Sequence, residues 1–225
     1  ESESRGLGDV YKRQPVDGKV SQGGVLESET LKLIQAKGKD YSLTDLLEDT
    51  NLAHQFVGGA WCTIYLAPFN YHRIHTPVAG EVLKATHIPG TLWPVNDWSV
   101  SNIENLFCVN ERVISEIKTA CGAKILVVKV GATNVGRITL SYTNELVSNT
   151  SPIWKGDTAT HIPKEPIVLA KGDELGCFEL GSTVVVVADK KWSEEHPNWQ
   201  NKYLGQGVSL GCLLYTSDAA DDGLS

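Results

Sequence analysis

The sequence predicts a mainly β chain of the α+β kind: an antiparallel sandwich or distorted barrel with one or two helices. Three observations carry that reading. Runs of β-branched and apolar residues, such as AKILVVKV (123–130) and TVVVVAD (183–189), recur at short intervals. Glycine is frequent between them, with 21 copies in 225 residues, as in a chain that turns often. Only one stretch has a clear helical pattern, so helices do not form the main layer.

In chain order, PVDGKVSQGG (15–24) reads as turn chemistry, Asp-Gly and then Gly-Gly. LKLIQAKGKDY (31–41) follows as a short strand and turn. SLTDLLEDTNLAHQF (42–56) is the helix: Ser42 can cap it, Asp45 sits three residues on, Leu43, Leu46 and Leu47 line one face, and Gly58-Gly59 ends it. Strands are then expected in AWCTIYLAP (60–68), GEVLKATHIPG (80–90), NLFCVNERVISEI (105–117) and AKILVVKVGATNVGRITLSY (123–142). Two more lie in PIVLAKGDELGCFELGSTVVVVAD (166–189), around a Lys-Gly-Asp turn. SNTSPIWKGDTATHIPKE (148–165) is polar and aperiodic, so it reads as a long loop. KKWSEEHPNWQNKY (190–203) reads as an exposed loop or short helix.

Composition narrows the function. The formal net charge of −7 argues against nucleic acid as a partner, because phosphate binding needs a basic face. No apolar run approaches the roughly 20 residues that span a bilayer. The five cysteines (62, 108, 121, 177 and 212) form no C-x-x-C pair and read as free thiols of a reducing compartment. Cys62, Cys108 and Cys177 fall in strand-like runs, where a thiol acts as a small hydrophobe. The two ends, 1–14 and 212–225, share no pattern with their neighbours and resemble translated adaptor tails. The expectation is one catalytic domain over 15–211 with a foreign tail at each end; native codons running through both tails would overturn it.

Three short motifs could carry chemistry. In APFNYHRIHTP (67–77), Tyr71, His72, Arg73 and His75 lie within five residues, which offers acid–base groups beside a cation. Surface histidines in a polar turn fit equally well. Zinc fits less well, since the H-x-x-H spacing lacks the glutamate of H-E-x-x-H and no third ligand is close; no metal set is read. Asp17 in PVDG can orient a base or simply cap its own turn. Gly181-Ser182, at the mouth of a core strand, can be a bulge. It can also be a reactive bond: glycine leaves its carbonyl unshielded, and an activated serine hydroxyl next to it permits an N→O acyl shift. An acid, a base and a nucleophile together follow the logic of a catalytic triad.

Taken together, PVDG, YLAPFNYHRIHTPVAGEVLKATHIPGTLWPVN, LFCVNERV, VGATNVG and AKGDELGCFELGSTVVV resemble the phosphatidylserine decarboxylase proenzymes, block by block and in family order. The resemblance covers residues 15–189 and extends to LGQGVSLG (204–211). It implies a bacterial-type zymogen that cuts itself between Gly181 and Ser182, giving a β chain that ends at Gly181 and an α chain that starts at position 182. Ser182 attacks the Gly181 carbonyl, the resulting ester is lost by β-elimination, and the remaining dehydroalanine loses ammonia to become a covalent pyruvoyl group, the only cofactor implied. Asp17, His75 and Ser182 match the family's self-cleavage triad, and His72 matches its decarboxylation histidine.

The implied reaction is that of a carboxy-lyase of phospholipid biosynthesis. The pyruvoyl carbonyl condenses with the amine of phosphatidylserine, CO2 leaves, and phosphatidylethanolamine is released. His72 is the expected proton donor and Arg73 the expected contact to the anionic head group. The partners expected are phosphatidylserine in a membrane, the chain's own α and β pieces, and a second copy in a homodimer. The place expected is the cytoplasmic face of the cell membrane, held peripherally, with Trp93, Trp154 and Trp192 as candidate contacts. Two other readings remain open here: a decarboxylase of the same family acting on a soluble amino acid, and an uncleaved β-rich binding domain. The chain departs from many family members in carrying Asn70 where they carry aspartate. That removes a charge that would raise the pKa of the neighbouring imidazole.

Overall fold

The computed structural model describes residues 15–27, 30–36, 39–133, 137–146, 148–149, 156–179, 183–196 and 209–210. Both terminal tails, Leu180, Gly181, Ser182, Trp154 and Cys212 lie outside the described residues.

The chain is mainly β, and every strand pairing in it is antiparallel. The strands, in chain order, are β1 (Gly18–Val25), β2 (Lys32–Ala36), β3 (Lys39–Ser42), β4 (Ala60–Tyr65), β5 (Arg73–His75), β6 (Gly80–Ile88) and β7 (Arg112–Lys118). They continue as β8 (Lys124–Val130), β9 (Ile138–Leu140), β10 (Ala159–His161), β11 (Ile167–Leu169), β12 (Glu174–Phe178), β13 (Thr183–Ala188) and β14 (Ser209–Leu210). The large sheet runs β10-β6-β7-β8-β13-β4-β1-β14, with β11 also on β6. This order does not return on itself, which sets aside the distorted barrel. A second sheet is β5-β12-β9, and β2-β3 form a hairpin.

The middle of the large sheet is the driest part. All six residues of β13 are buried, flanked by β8 and β4 through unbroken six-residue registers. A strand covered on both faces needs apolar residues at consecutive positions, and Val184–Val187 supplies them.

Five short helices are present among the described residues, where one or two were expected. The helix read over 42–56 is broken into α1 (Leu43–Leu47) and α2 (Thr50–His54). Ser42 caps α1 as expected, accepting from the Thr44 N–H at 3.0 Å. Glu48 then turns left-handed at φ 50° and Asp49 caps a new helix, accepting from Leu52 N–H at 2.9 Å. A capping carboxylate placed mid-segment competes with helix continuation, and here it prevails.

The strand read over 105–117 begins with a helix. Residues 97–102 form α3 (Asp97–Asn102), and α4 (Leu106–Val109) precedes β7, so Cys108 is helical. Side chains from elsewhere hold α4: Gln35 Oε1 accepts from Leu106 N–H at 2.8 Å, and Arg112 Nη1 donates to the Cys108 carbonyl at 2.6 Å. The Gly-Gly of 23–24, read as a turn, lies inside β1. Gly24 sits under the Trp61 indole, where a Cβ would come within 3.2 Å of Nε1. The loop read over 148–165 contributes β10 to the sheet edge, and 190–203 begins with α5 (Lys190–Glu195), capped by Asp189. Cys62, Cys108, Cys121 and Cys177 are free thiols.

Candidate active site

The segment after β4 makes a turn before β5, and Asn70 builds it. Its Oδ1 accepts from Ala67 N–H at 2.7 Å, and its backbone N–H donates to the Ala67 carbonyl at 2.9 Å. The amide's other end donates to Asp17 Oδ2 at 3.1 Å, and the Tyr71 N–H donates to the same oxygen at 3.1 Å. Asp17 thus ties the histidine turn to the start of β1. The approach is close: a Cβ on Gly18 would lie 2.5 Å from the Tyr65 carbonyl oxygen. One more bond seals the corner, from His75 N–H to the Pro15 carbonyl at 2.8 Å.

His75 is buried and its tautomer is dictated by its partners. Nδ1 is 2.8 Å from the Gly172 carbonyl oxygen, which can only accept, so Nδ1 carries the proton. Nε2 of the neutral ring therefore presents a lone pair. The Tyr71 hydroxyl lies 3.3 Å from it, and the two rings stack with centroids 5.7 Å apart. The arrangement fixes the ring and leaves Nε2 as a group able to accept a proton. Its orienting partner is the Gly172 carbonyl, while the bonds of Asp17 go to Asn70 and Tyr71.

His72 differs. Its Nε2 is buried with no hydrogen-bond partner among the described residues. Burial pulls its pKa below the usual imidazole value, and the nearby negative charge of Asp17 works against that shift. The His72 carbonyl accepts from the N–H of Phe178, the last residue of β12, at 3.0 Å. Arg73, expected to contact substrate, is exposed and donates through Nη1 to both carboxylate oxygens of Glu174, at 2.7 and 2.5 Å. That ion pair occupies its charge.

Gly181 and Ser182 are outside the described residues, but both shoulders of that segment are defined. On one side, Phe178 is bonded to His72 and the Glu179 N–H donates to the Arg137 carbonyl at 3.0 Å. On the other, Thr183 pairs with Tyr65 of β4 and Val130 of β8. Tyr65 is the last residue of the strand that leads into the histidine turn.

A cavity of about 560 Å³ reaches the same strand end. Thr63, Tyr65 and Thr183 line its sheet side, and Val95, Val100 and Phe107 line its apolar side. Its size suits a ligand of small-molecule dimensions. Near it, Trp93 and Trp98 are exposed to 48% and 66%, although Trp98 was not singled out by the sequence. Trp192 instead packs partly buried on the core and stacks on His196 with ring centroids 3.7 Å apart. No helix among the described residues is long and apolar enough to cross a membrane.

Several of these partners escaped the sequence reading. Gly172 acts through its carbonyl, which leaves no trace in residue type. The Tyr71 contact is visible only as an aromatic four residues before His75. Thr63 and Lys19 carry no motif at all.

Comparison with known proteins agrees with the motifs. A family model described as phosphatidylserine decarboxylase matches residues 8–211. The phosphatidylserine decarboxylase proenzyme of Myxococcus xanthus is 46% identical over 177 residues, covering 79% of this chain and 60% of the relative. That of an Anaeromyxobacter species is 44% identical over 180 residues, 80% of this chain and 62% of the relative. That of Psychrobacter arcticus is 41% identical over 201 residues, 89% of this chain and 68% of the relative. The chain thus spans about three fifths of the length of the first two relatives. With most of its length matched by the family model, this chain belongs to the phosphatidylserine decarboxylase family.

Proposed function

We propose that the chain is a self-processing, pyruvoyl-dependent decarboxylase that converts phosphatidylserine to phosphatidylethanolamine and CO2. The observation that supports this most is convergence. Asp17 is tied to the turn that carries His72 and His75, His72 is bonded through its carbonyl to Phe178, and Thr183 pairs with Tyr65 at the end of the strand that leads into that turn; Phe178 and Thr183 are the two described strand ends nearest the Gly181–Ser182 bond.

In this reading, His75 Nε2 takes the proton of the Ser182 hydroxyl as that oxygen attacks the Gly181 carbonyl. The Gly172 carbonyl keeps Nδ1 protonated and so stabilises the imidazolium that forms. Asp17 acts by fixing the turn and by adding negative charge near His72.

The surroundings fit a small carbonyl group at position 182. The cavity reaches Thr183, and His72 Nε2 is buried with a hydrogen-bonding position open. Such a group supplies an electron sink for the charge left when CO2 departs. His72 then holds the proton that must be returned to the substrate carbon. With its pKa lowered, His72 is mostly neutral at neutral pH, so the proton-donating form grows towards acid. The exposed Trp93 and Trp98 support peripheral contact with a membrane surface, and the cytoplasmic side is proposed with it.

The test is intact mass together with denaturing electrophoresis of purified protein carrying the family's full-length termini. The expected result is two chains, the smaller beginning with a pyruvoyl group in place of Ser182, and release of CO2 from phosphatidylserine vesicles. A single chain with unmodified Ser182 overturns the self-processing reading. Two chains that act only on a soluble amino acid overturn the lipid substrate.

A further inference from the structure

We infer that Lys19, Thr63 and Thr183 form a phosphoryl-binding subsite on the sheet side of the cavity, which takes the phosphodiester of the substrate head group. This rests on the proposed lipid substrate and identifies the residues that read its phosphate.

The register puts the three residues together. Lys19 of β1 and Thr183 of β13 both pair with Tyr65 of β4. Directly paired residues share a sheet face, and Thr63, two residues from Tyr65, lies on that face too. All four line the cavity. Neighbouring strands lie about 5 Å apart, so the backbones of Lys19 and Thr183 stand about 10 Å apart on either side of Tyr65, a gap that the long lysine side chain can span towards a shared anion.

Two features point to a missing ligand. Thr63 and Thr183 are 2% and 1% exposed, and neither Oγ1 atom has a hydrogen-bond partner among the described residues. The Tyr41 hydroxyl lies close enough to Thr63 for the two to interact, though not as a hydrogen bond of ordinary geometry, whereas Thr183 Oγ1 has no such neighbour among the described residues. A buried hydroxyl left unpaired costs about 1–3 kcal/mol, so Thr183, with Thr63 held only by Tyr41, calls for an acceptor that arrives with a ligand. In addition, Lys19 is the only lysine or arginine lining the cavity among the described residues, and no described carboxylate pairs with it. The cation expected from the sequence, Arg73, is engaged by Glu174. Asp97 also lines the cavity and gives it one negative group, suited to a zwitterionic head group more than to a purely anionic one.

The chemistry matches the position. In phosphatidylserine only a few bonds separate the amine from the phosphorus. An amine reacting at position 182 brings the phosphate next to Thr183, the adjacent residue. Two hydroxyl donors and an ammonium satisfy a phosphodiester, which carries one negative charge and only acceptor oxygens. Val95, Val100 and Phe107 on the apolar side are placed for what lies beyond the phosphate.

Binding of soluble glycerophosphoserine and of inorganic phosphate, measured by calorimetry on parent and Lys19→Gln protein, tests the subsite. Mass analysis of the same samples reports self-cleavage separately. Lys19 is exposed, so its replacement leaves the fold intact. The expected result is about tenfold weaker glycerophosphoserine binding in Lys19→Gln, recovery in Lys19→Arg, and a similar loss in Thr63→Val. Where the enzyme turns over, KM for phosphatidylserine vesicles rises with kcat nearly unchanged. Glycerophosphoserine binding that ignores Lys19, in protein that cuts itself and decarboxylates, overturns the subsite and leaves the proposed function standing. Lys19-dependent binding by a chain that does not cut itself overturns the self-processing reading and leaves the subsite standing. Lys19-dependent binding of inorganic phosphate with no preference for glycerophosphoserine shows a site for free phosphate and overturns the head-group assignment.

Discussion

Two polar clusters in this molecule are built on opposite plans. At Arg112, buried inside the fold, every donor is used. Nε donates to the Leu46 carbonyl at 2.7 Å, Nη1 to those of Cys108 and Asn110 at 2.6 and 3.0 Å, and Nη2 to the Asp45 carbonyl and Glu48 Oε1 at 3.1 and 3.2 Å. The guanidinium closes the carbonyl ends of α1 and α4, which are too short to satisfy themselves. The buried Lys129 is likewise bonded, to Ser115 Oγ at 2.6 Å, and Ser115 in turn to the Tyr142 hydroxyl at 2.6 Å. At the histidine turn and along the cavity the opposite holds: His72 Nε2 in the one, and the Thr63 and Thr183 hydroxyls in the other, are buried without a hydrogen bond of ordinary geometry among the described residues. A satisfied cluster holds a fold together. An open one costs stability, and His72, Thr63 and Thr183 share that state with Ser99 Oγ and Trp192 Nε1 elsewhere, so it is the combination with the histidine turn and the cavity that singles them out.

The sharpest way to break the contrast is at His75, the proposed base, whose two ring nitrogens both have partners. His75→Ala removes the base, and its self-cleavage should fall by a factor of about a hundred to ten thousand, read as uncut chain on denaturing gels over time. Cleavage at the parental rate would show that the Gly172-held ring is structural, like Arg112.

Next comes the closed cluster itself. Arg112→Met strands at least four carbonyl acceptors and should cost about 3–5 kcal/mol in a urea melt. A loss below about 1 kcal/mol would mean that water replaces the guanidinium and that the cluster is not closed at all.

Lys129 tests whether closure also means stability. Burial alone brings its pKa down to about 7. The unfolded chain therefore holds more protons than the folded one between about pH 7 and the ordinary lysine value, and stability rises with pH across that window and is lost as pH falls through it. Lys129→Met should flatten the rise and stabilise the protein by about 1–4 kcal/mol near neutral pH. Equal pH dependence in parent and variant would remove Lys129 as its source.

The smallest effect is expected at Asn70. Its amide donates to Asp17, so Asn70→Asp replaces a donor with a second carboxylate near His72. Added negative charge favours imidazolium, and the pH profile of decarboxylation should move up by less than about one unit. An unmoved profile would uncouple the turn from His72.

How far the sequence could be read follows the same division. The valine run of β13 and the alternating strands were legible because burial on two faces or one writes itself into periodicity. Asp17, His72 and His75 stood out as residue types able to do acid–base work, and the structure ties Asp17 to the turn that carries both histidines. The break at Glu48-Asp49 was hidden because a capping aspartate looks like any other acid on a helix face. Helix α4 was hidden because Gln35 and Arg112, distant in sequence, stabilise it. The Gly172 carbonyl, the Arg73–Glu174 pair and the open hydroxyls of Thr63 and Thr183 depend on pairing across strands, which one chain read in order does not display.

The position of β13 has a consequence for what a cut chain is. Six residues of β13 pair with β8 on one side and six with β4 on the other. Breaking the backbone just ahead of Thr183 would remove a covalent link and leave those ladders in place. The product would be one folded body made of two molecules, and its unfolding would also be a dissociation. Its thermal midpoint would then climb with protein concentration, whereas the uncut precursor would melt at the same temperature at any dilution.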